Sequence, residues 1–293
     1  MKILISGTSG LIGAHLVPLL EASGHEVTRL VRRPTGGERE TPWLPDLQPD
    51  QVSGFDAVIH LAGETIMGRW TAGKKARILE SRATGTRNLA LAVAAAKVRP
   101  HSFLVASAVG YYGSRGDTIL REDSSPGSDF LALVCQQWEA SAEAARQAGV
   151  RVVNLRLGTV LTRHGGALPR LILPFRMGLG GRLGSGKQWM AWIALEDVIR
   201  AIGFTLETGS IAGPVNLIAP NPVTNREFTR ALGQALHRPT PFPLPAALIK
   251  LAFGQMGEAL LLSSQRALPG KLAAAGYRFL HPEVGEALRS MLR

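Results

Sequence analysis

The sequence predicts an α/β fold: a doubly wound parallel sheet with helices on both faces and a smaller C-terminal part. Three observations lead there. An apolar run, Lys2 to Ser6, enters a glycine-spaced turn and then a helical pattern. Short apolar runs and helical patterns then alternate as far as Leu157. Beyond about residue 160 glycines and prolines crowd the chain and the alternation weakens. Regular alternation indicates a parallel sheet, because each parallel connection needs a crossover that a helix supplies.

The elements follow in order. Lys2 to Ser6 is a buried strand, rich in Ile and Leu and without helical period. Leu11 to Ser23 carries apolar residues at helical spacing, and Gly24 stops it. His25 to Val31 is the second strand, which completes a βαβ unit. Ala57 to Leu61 is a strand, Lys75 to Ala96 a long helix, Ser102 to Ala106 a strand. Leu133 to Gln147 is predicted as one helix ended by Gly149, and Val150 to Leu157 as a strand. Further on, Ala191 to Ala194 is a short strand and Leu195 to Thr208 a helix with Glu196 and Asp197 in its first turn. Pro214 to Ile218 is a strand, and Thr224 to His237 a helix for which Asn225 is the expected cap. Four prolines between Pro239 and Pro245 mark a linker, and a helical tail follows. The expected division is 1–160 as the core and 161–293 as the smaller part and tail, with the segment around 191–218 returning to the core.

Composition limits the function. The 293 residues are 45% hydrophobic and 19% charged, enough for a large core. A single cysteine excludes a disulfide framework, and the seven histidines show no metal-ligand spacing. The net charge of +11 is carried mostly by scattered arginines, so no nucleic-acid partner is expected. No apolar stretch reaches the roughly 18 residues of a membrane span. Only three apolar residues separate Met1-Lys2 from Ser6-Gly7, too few for a secretory leader. The expectation is a cytoplasmic protein away from membranes.

Gly7, Gly10 and Gly13 stand between the first strand and the first helix. Gly7 allows the sharp turn, Gly10 clears space for a pyrophosphate, and Gly13 lets the helix approach the sheet. Ser9, Leu11 and Ile12 complete this turn, whose N–H groups and helix dipole attract an anion. A nicotinamide dinucleotide is the expected ligand. Its type is set where the second strand ends, after Val31. Arg32 and Arg33 stand there, with no acid until Glu38. Guanidiniums suit a 2′-phosphate and offer no acceptor to a 2′-hydroxyl, so NADP(H) is expected over NAD(H).

The chain resembles the extended short-chain dehydrogenase/reductases. Within them it is most similar to the atypical 39U-type branch, NADP-dependent epimerases of unassigned substrate. The likeness rests on Ile3 to Gly13, HLAGE at His60 to Glu64, Glu80-Ser81-Arg82, and Ser107 to Gly113 (SAVGYYG). It continues in Trp138-Glu139, Leu155 to Leu161, Pro174 to Gly186, Ala191-Trp192-Ile193 and Gln265 to Pro269. The resemblance implies a Rossmann-type NADP(H) domain with a small C-terminal substrate domain. It also implies cofactor contacts at Leu61, Ala62, Gly63, Arg82 and Val160.

The departures from the family bear on chemistry. Hydride-transferring members use a Ser or Thr, a Tyr as general acid or base, and a Lys four residues later that lowers the Tyr pKa. Ser107 matches the first. Aligned on Glu139, the Tyr position falls at Leu131 and the Lys position at Cys135, so the pair is missing. Tyr111 and Tyr112 are the candidate replacements for catalysis; the alternative is that both pack. Met190 occupies the place of the arginine that grips a sugar-nucleotide diphosphate in the epimerases, which argues against such a substrate. Glu64, Trp189 and Trp192 are the candidate substrate-binding residues, each with an ordinary structural alternative. The expected activity is that of an oxidoreductase or epimerase on an unidentified small carbon–oxygen substrate. The alternative is a catalytically weak NADP(H) sensor acting through a partner. The long helices suit pairing into a homodimer.

Overall fold

The computed structural model describes residues 1–34, 36–37, 39–43 and 47–292. Glu38, the first acid after the end of the second strand, lies outside them. Strand β1 (Lys2–Ser6) leads into helix α1 (Gly13–Ala22), then β2 (Glu26–Val31), β3 (Glu40–Pro42) and β4 (Ala57–His60). Helix α2 (Ala72–Ala95), β5 (Ser102–Ala108) and β6 (Ile119–Leu120) come next. Helices α3 (Phe130–Ala140) and α4 (Glu143–Gln147) precede β7 (Arg151–Leu157) and β8 (Thr159–Leu161). Then come α5 (Leu168–Arg176), β9 (Trp189–Met190), β10 (Trp192–Ala194), α6 (Leu195–Glu207), β11 (Gly213–Leu217) and β12 (Val223–Thr224). Helices α7 (Asn225–Ala235) and α8 (Ala246–Gly257), strand β13 (Arg266–Ala267), and helices α9 (Gly270–Ala274) and α10 (Val284–Leu292) complete the chain. No helix among the described residues is long and apolar enough to cross a membrane.

Seven parallel strands form the central sheet in the order β11-β7-β5-β4-β1-β2-β3. This is the doubly wound sheet the sequence predicts. Alternate residues of each strand serve opposite faces. Ile3 and Ile5 of β1 pack with Leu16, Val17 and Leu20 of α1 and with Val198, Ala201 and Ile202 of α6. Leu4, between them, packs with Leu89 and Val93 of α2 and Trp138 of α3. A further cluster joins α5, β10, α7 and α10 through Ile172, Trp192, Phe228 and Leu288.

Several local expectations are corrected. The predicted helix over 133–147 is two helices, and the first begins at Phe130 because Asp129 caps it, accepting from Ala132 N at 2.9 Å. Thr224, not Asn225, caps α7, in a reciprocal box with Glu227. Asn225 instead accepts from Leu183 N at 2.8 Å and fixes the glycine-rich loop. That loop is preceded by α5, whose prolines mask its helical pattern. The proline-rich 239–245 segment is no free linker, since Leu244 pairs with Leu183.

Candidate functional site

Four carboxyl ends of the sheet carry the sequence-predicted residues. Gly7 follows β1, Leu61 follows β4, Ser107 lies at the end of β5, and Gly158 follows β7. Ligands of open α/β sheets bind at these ends, where the strand order reverses, here between β1 and β4.

The β1–α1 turn separates the roles of its glycines. Gly7 has φ +76°, and a Cβ there would lie 2.7 Å from the Leu61 and Ala62 backbone. A Cβ on Gly13 would lie 2.3 Å from the Gly7 oxygen. At Gly10 the nearest atom to a Cβ is the Gly7 oxygen at 3.2 Å, and the residue is exposed. Two glycines are therefore needed by the fold, while Gly10 keeps an open face above the helix start. Ile12 occupies the N-cap, and among the described residues no side chain caps α1 there. Ser9 is exposed at the tip, and Leu11 leans on the 165–166 turn. Val31 ends β2, paired with Pro42, and leaves Arg32 and Arg33 exposed beyond it.

The loop after β4 is built on two cations. Lys74 Nζ donates to Glu64 Oε1 at 2.6 Å, and this bond holds the Glu64 carboxyl below the usual carboxylate range. Arg82 Nη1 donates to the Glu64 carbonyl at 2.9 Å, and its guanidinium lies 4.8 Å from the centre of the Trp138 ring. A Cβ on Gly63 would approach the Arg82 guanidinium carbon to 3.3 Å. Arg82 thus lies against Gly63 and the Glu64 carbonyl, and its charge partly offsets the burial that raises the Cys135 pKa. Val160 in β8 pairs with Ile193 beside the main core.

At the end of β5 the missing pair is visible in space. A Cβ on Gly110 would sit 3.4 Å from Leu131 Cβ and 3.7 Å from Cys135 Sγ. Leu131 and Cys135 therefore face the Ser107 turn, as the alignment on Glu139 implies. Burial pushes the Cys135 thiol up to about 12, so it is no nucleophile at neutral pH. Ser107 Oγ donates to Glu139 Oε1 at 2.7 Å. Arg156 grips both Glu139 oxygens, donates to the Tyr112 oxygen at 3.0 Å, and sits 3.5 Å from the centre of the Tyr111 ring. Burial opposes the Arg156 charge, yet Glu139 and Tyr112 together outweigh it and hold its pKa above the usual value. Tyr112 is wholly buried and donates to Asn216 Oδ1 at 2.7 Å. Burial raises its pKa. Its phenol is committed on both sides, the arrangement that the packing alternative for this tyrosine calls for. Tyr111 lines a separate 440 Å³ cleft with Glu139 and Arg156. The arginine partner that either tyrosine lacks in sequence is Arg156, supplied by β7.

A cleft of about 570 Å³ opens on the other side of Leu131. Trp70, Phe130, Leu131 and Gln188 line it, together with α8 residues such as Lys250. Neither predicted tryptophan does. Trp192 is fully buried and donates to the Asn221 carbonyl, so it belongs to the core. Trp189 donates to Asp117 at 2.6 Å and lies under the Arg266 guanidinium. Trp70, Lys74, Glu139 and Arg156 were not singled out from sequence as site residues. The first two lie only six and ten positions beyond Glu64, whereas the last two meet only through tertiary structure.

A doubly wound sheet with a glycine turn at its switch point and an uncapped helix beyond it defines a dinucleotide-binding fold. The chain belongs to the NAD dependent epimerase/dehydratase family, whose model matches residues 3–217. Residues 244–291 match a domain of unknown function, DUF1731. The chain is 45% identical over 290 residues to the Epimerase family protein MT2273 of Mycobacterium tuberculosis, covering 98% of this chain and 96% of that protein. It is 36% identical over 296 residues to the human Epimerase family protein SDR39U1, covering 100% of each. The crystal structure of human SDR39U1 with NADPH superposes with a TM-score of 0.92 and covers 100% of this chain and 99% of that one. A nucleoside-diphosphate sugar epimerase from Corynebacterium glutamicum, 35% identical, gives 0.83 and covers 100% of this chain but 58% of that one. The family resemblance read from the motifs is thus borne out.

Proposed function

We propose that the protein binds NADP(H) across the β1–α1 turn and carries out hydride transfer with a small carbon–oxygen substrate, by net reduction or by transient oxidation. The open face of Gly10 above an uncapped helix is the observation that carries the cofactor reading. The family relative crystallised with NADPH supports the same phosphate type here, and Arg32 and Arg33 give the electrostatic reason. The nicotinamide supplies the hydride when bound. The chain's own residues hold and orient: the turn N–H groups receive the pyrophosphate, the two arginines the 2′-phosphate, and Arg82 supports the loop after β4 at Gly63 and Glu64. Arg82 also brings a cation near Cys135, where related enzymes carry their lysine.

Titration calorimetry tests this reading. NADPH should bind at least tenfold tighter than NADH, one ion-paired phosphate being worth about 1.5 kcal/mol or more. Equal affinity, or no binding, overturns it. A second reading is favoured by Leu131 and Cys135 standing in the Tyr and Lys positions: a sensor of the NADPH/NADP⁺ ratio without turnover. It requires unequal affinities for the two redox forms, since a ligand pair bound equally shifts nothing.

A further inference from the structure

Half of the Arg82 guanidinium is without a partner. Its Nη1 donates to the Glu64 carbonyl at 2.9 Å and to the Ile78 carbonyl at 3.3 Å, which fixes the group against the loop after β4. Nε and Nη2 have no hydrogen-bond partner among the described residues. These two nitrogens form the side-on edge of a guanidinium, whose parallel donors match the two oxygens of a carboxylate. Arg156 has the same edge filled: its Nε and Nη2 each donate to a Glu139 oxygen at 2.8 Å.

The acceptors around Arg82 are already spent. Lys74 holds the Glu64 carboxylate at 2.6 Å, and Arg156 and Ser107 hold that of Glu139. Ser81 Oγ accepts from the Glu64 N–H and donates to the Ile78 carbonyl. Burial keeps the Cys135 thiol protonated, so it supplies no counter-charge. Trp138, whose ring centre lies 4.8 Å from the guanidinium, offers only an N–H, itself unpartnered. A half-buried cation left in this state is costly, and a ligand anion would relieve the cost. Among the described residues the unpartnered polar atoms sealed from solvent do not include Arg82 Nε or Nη2, so a ligand can reach them.

Position separates this edge from the dinucleotide phosphates. Gly7 of the phosphate turn abuts the Leu61 and Ala62 backbone, whereas Arg82 abuts Gly63 from the side of α2 and α3. The helix start that receives the pyrophosphate belongs to α1, which packs on the opposite face of the sheet. Arg82 lies instead beside Trp138, next in the chain to the Glu139 that binds Ser107. A phosphate dianion would call for a second cation, and the neighbouring Lys74 is committed to Glu64. The single charge of a carboxylate matches the single free guanidinium.

We infer that the Nε/Nη2 edge of Arg82 seats a carboxylate of the substrate, so that the substrate class is small oxo or hydroxy acids. The inference deepens the NADP(H) reading above and rests on it.

Pyruvate and phenylpyruvate are the probes, with acetone and phenylacetone as their neutral counterparts and inorganic phosphate as the competing anion. Calorimetry of the full chain loaded with NADP⁺ should show at least one acid bound tenfold or more tighter than its ketone, the scale of a charge-assisted hydrogen bond. Arg82→Met should abolish that preference. Arg82→Lys, which keeps the charge and loses the fork, should lose part of it. Melting temperatures show whether both variants fold, and the preference for acid over ketone in the parent is a test that needs neither. Acids held no tighter than their ketones, or a preference that survives in every folded variant, overturns the seat. Phosphate held tighter than both acids overturns the carboxylate class. A loss of NADPH affinity in Arg82→Lys as large as the loss for the acid gives the edge to the cofactor and overturns the substrate role. Absence of NADPH binding in the parent overturns the cofactor reading itself, and acid binding by the unloaded chain then decides the seat alone.

Discussion

The Arg156 guanidinium holds both carboxylate oxygens of Glu139, at 2.8 Å each, and so ties β7 to α3 beneath the Ser107 turn. The Arg156 side chain is 3% exposed and that of Glu139 12%, so each charge depends on the other. Breaking a buried pair by removing one partner costs about 3–5 kcal/mol, because the remaining charge is stranded. Arg156→Met and Glu139→Gln should each lose stability on that scale in urea unfolding. The double variant Arg156→Met with Glu139→Leu should recover much of the loss. A double variant Arg156→Met with Glu139→Gln as unstable as the sum of the two singles would show that the two charges act independently and that the pairing does not couple them.

The three glycines of the turn should separate in their effects. Alanine at Gly13 would place its Cβ 2.3 Å from the Gly7 oxygen, a backbone atom that cannot move aside without disturbing β1. Gly13→Ala should therefore lose both stability and cofactor binding. Alanine at Gly10 meets only the Gly7 oxygen, at 3.2 Å. Gly10→Ala should keep the parent melting temperature to within a few degrees and yet bind NADPH at least tenfold more weakly, as a methyl group fills the pyrophosphate approach. Parent-like affinity in Gly10→Ala would remove the open face from the argument.

How much of this was legible in the sequence depends on the range of the interactions. Gly7, Gly10 and Gly13 announce themselves because the turn needs them at fixed local spacing. Six of the seven sheet strands are legible from strand–helix alternation, whereas the edge strand β3, Glu40–Pro42, is three residues long and was not read from the sequence. Caps are local too, but Thr224 and Asn225 are adjacent and both suited to the role, so only the geometry chooses. The site beyond the cofactor turn is different. Tyr112, Glu139, Arg156 and Asn216 lie on four separate elements, and no spacing in the chain reveals that one phenol is bonded by two of them. Trp192 and Trp70 are equally apolar in sequence, and only the packing of β10 against α7 puts one in the core while the other faces the cleft.

Arg32 and Arg33 should set the choice of dinucleotide. Both guanidiniums are exposed at the end of β2, so replacing them leaves the core untouched. A charge-assisted bond to phosphate is worth about 1.5–3 kcal/mol, or roughly tenfold to a hundredfold in affinity. Arg32→Ala with Arg33→Ala should weaken NADPH binding by that factor, leave NADH binding unchanged, and flatten the salt dependence of the NADPH isotherm. An equal loss for both dinucleotides would instead assign the arginines to the turn or to folding.

His60 should give the protein an acid-sensitive limb. The ring is fully buried in β4, its Nδ1 lies 2.6 Å from Ser6 Oγ, and its Nε2 has no partner. Burial pushes its pKa from the usual 6.5 to about 3. The unfolded chain therefore takes up a proton below pH 6.5 that the folded chain refuses until about pH 3. Stability attributable to this residue is constant above pH 6.5 and falls as the pH drops through that window, with a limiting slope of about 1.4 kcal/mol per pH unit. His60→Leu removes both the titrating group and the stranded nitrogen. Its stability in urea should fall less steeply than that of the parent between pH 6 and pH 4, by about one proton in the linkage slope. Identical slopes in the two proteins would mean that the imidazole is protonated where it lies, and that the buried, neutral state of this ring is not the one the protein adopts.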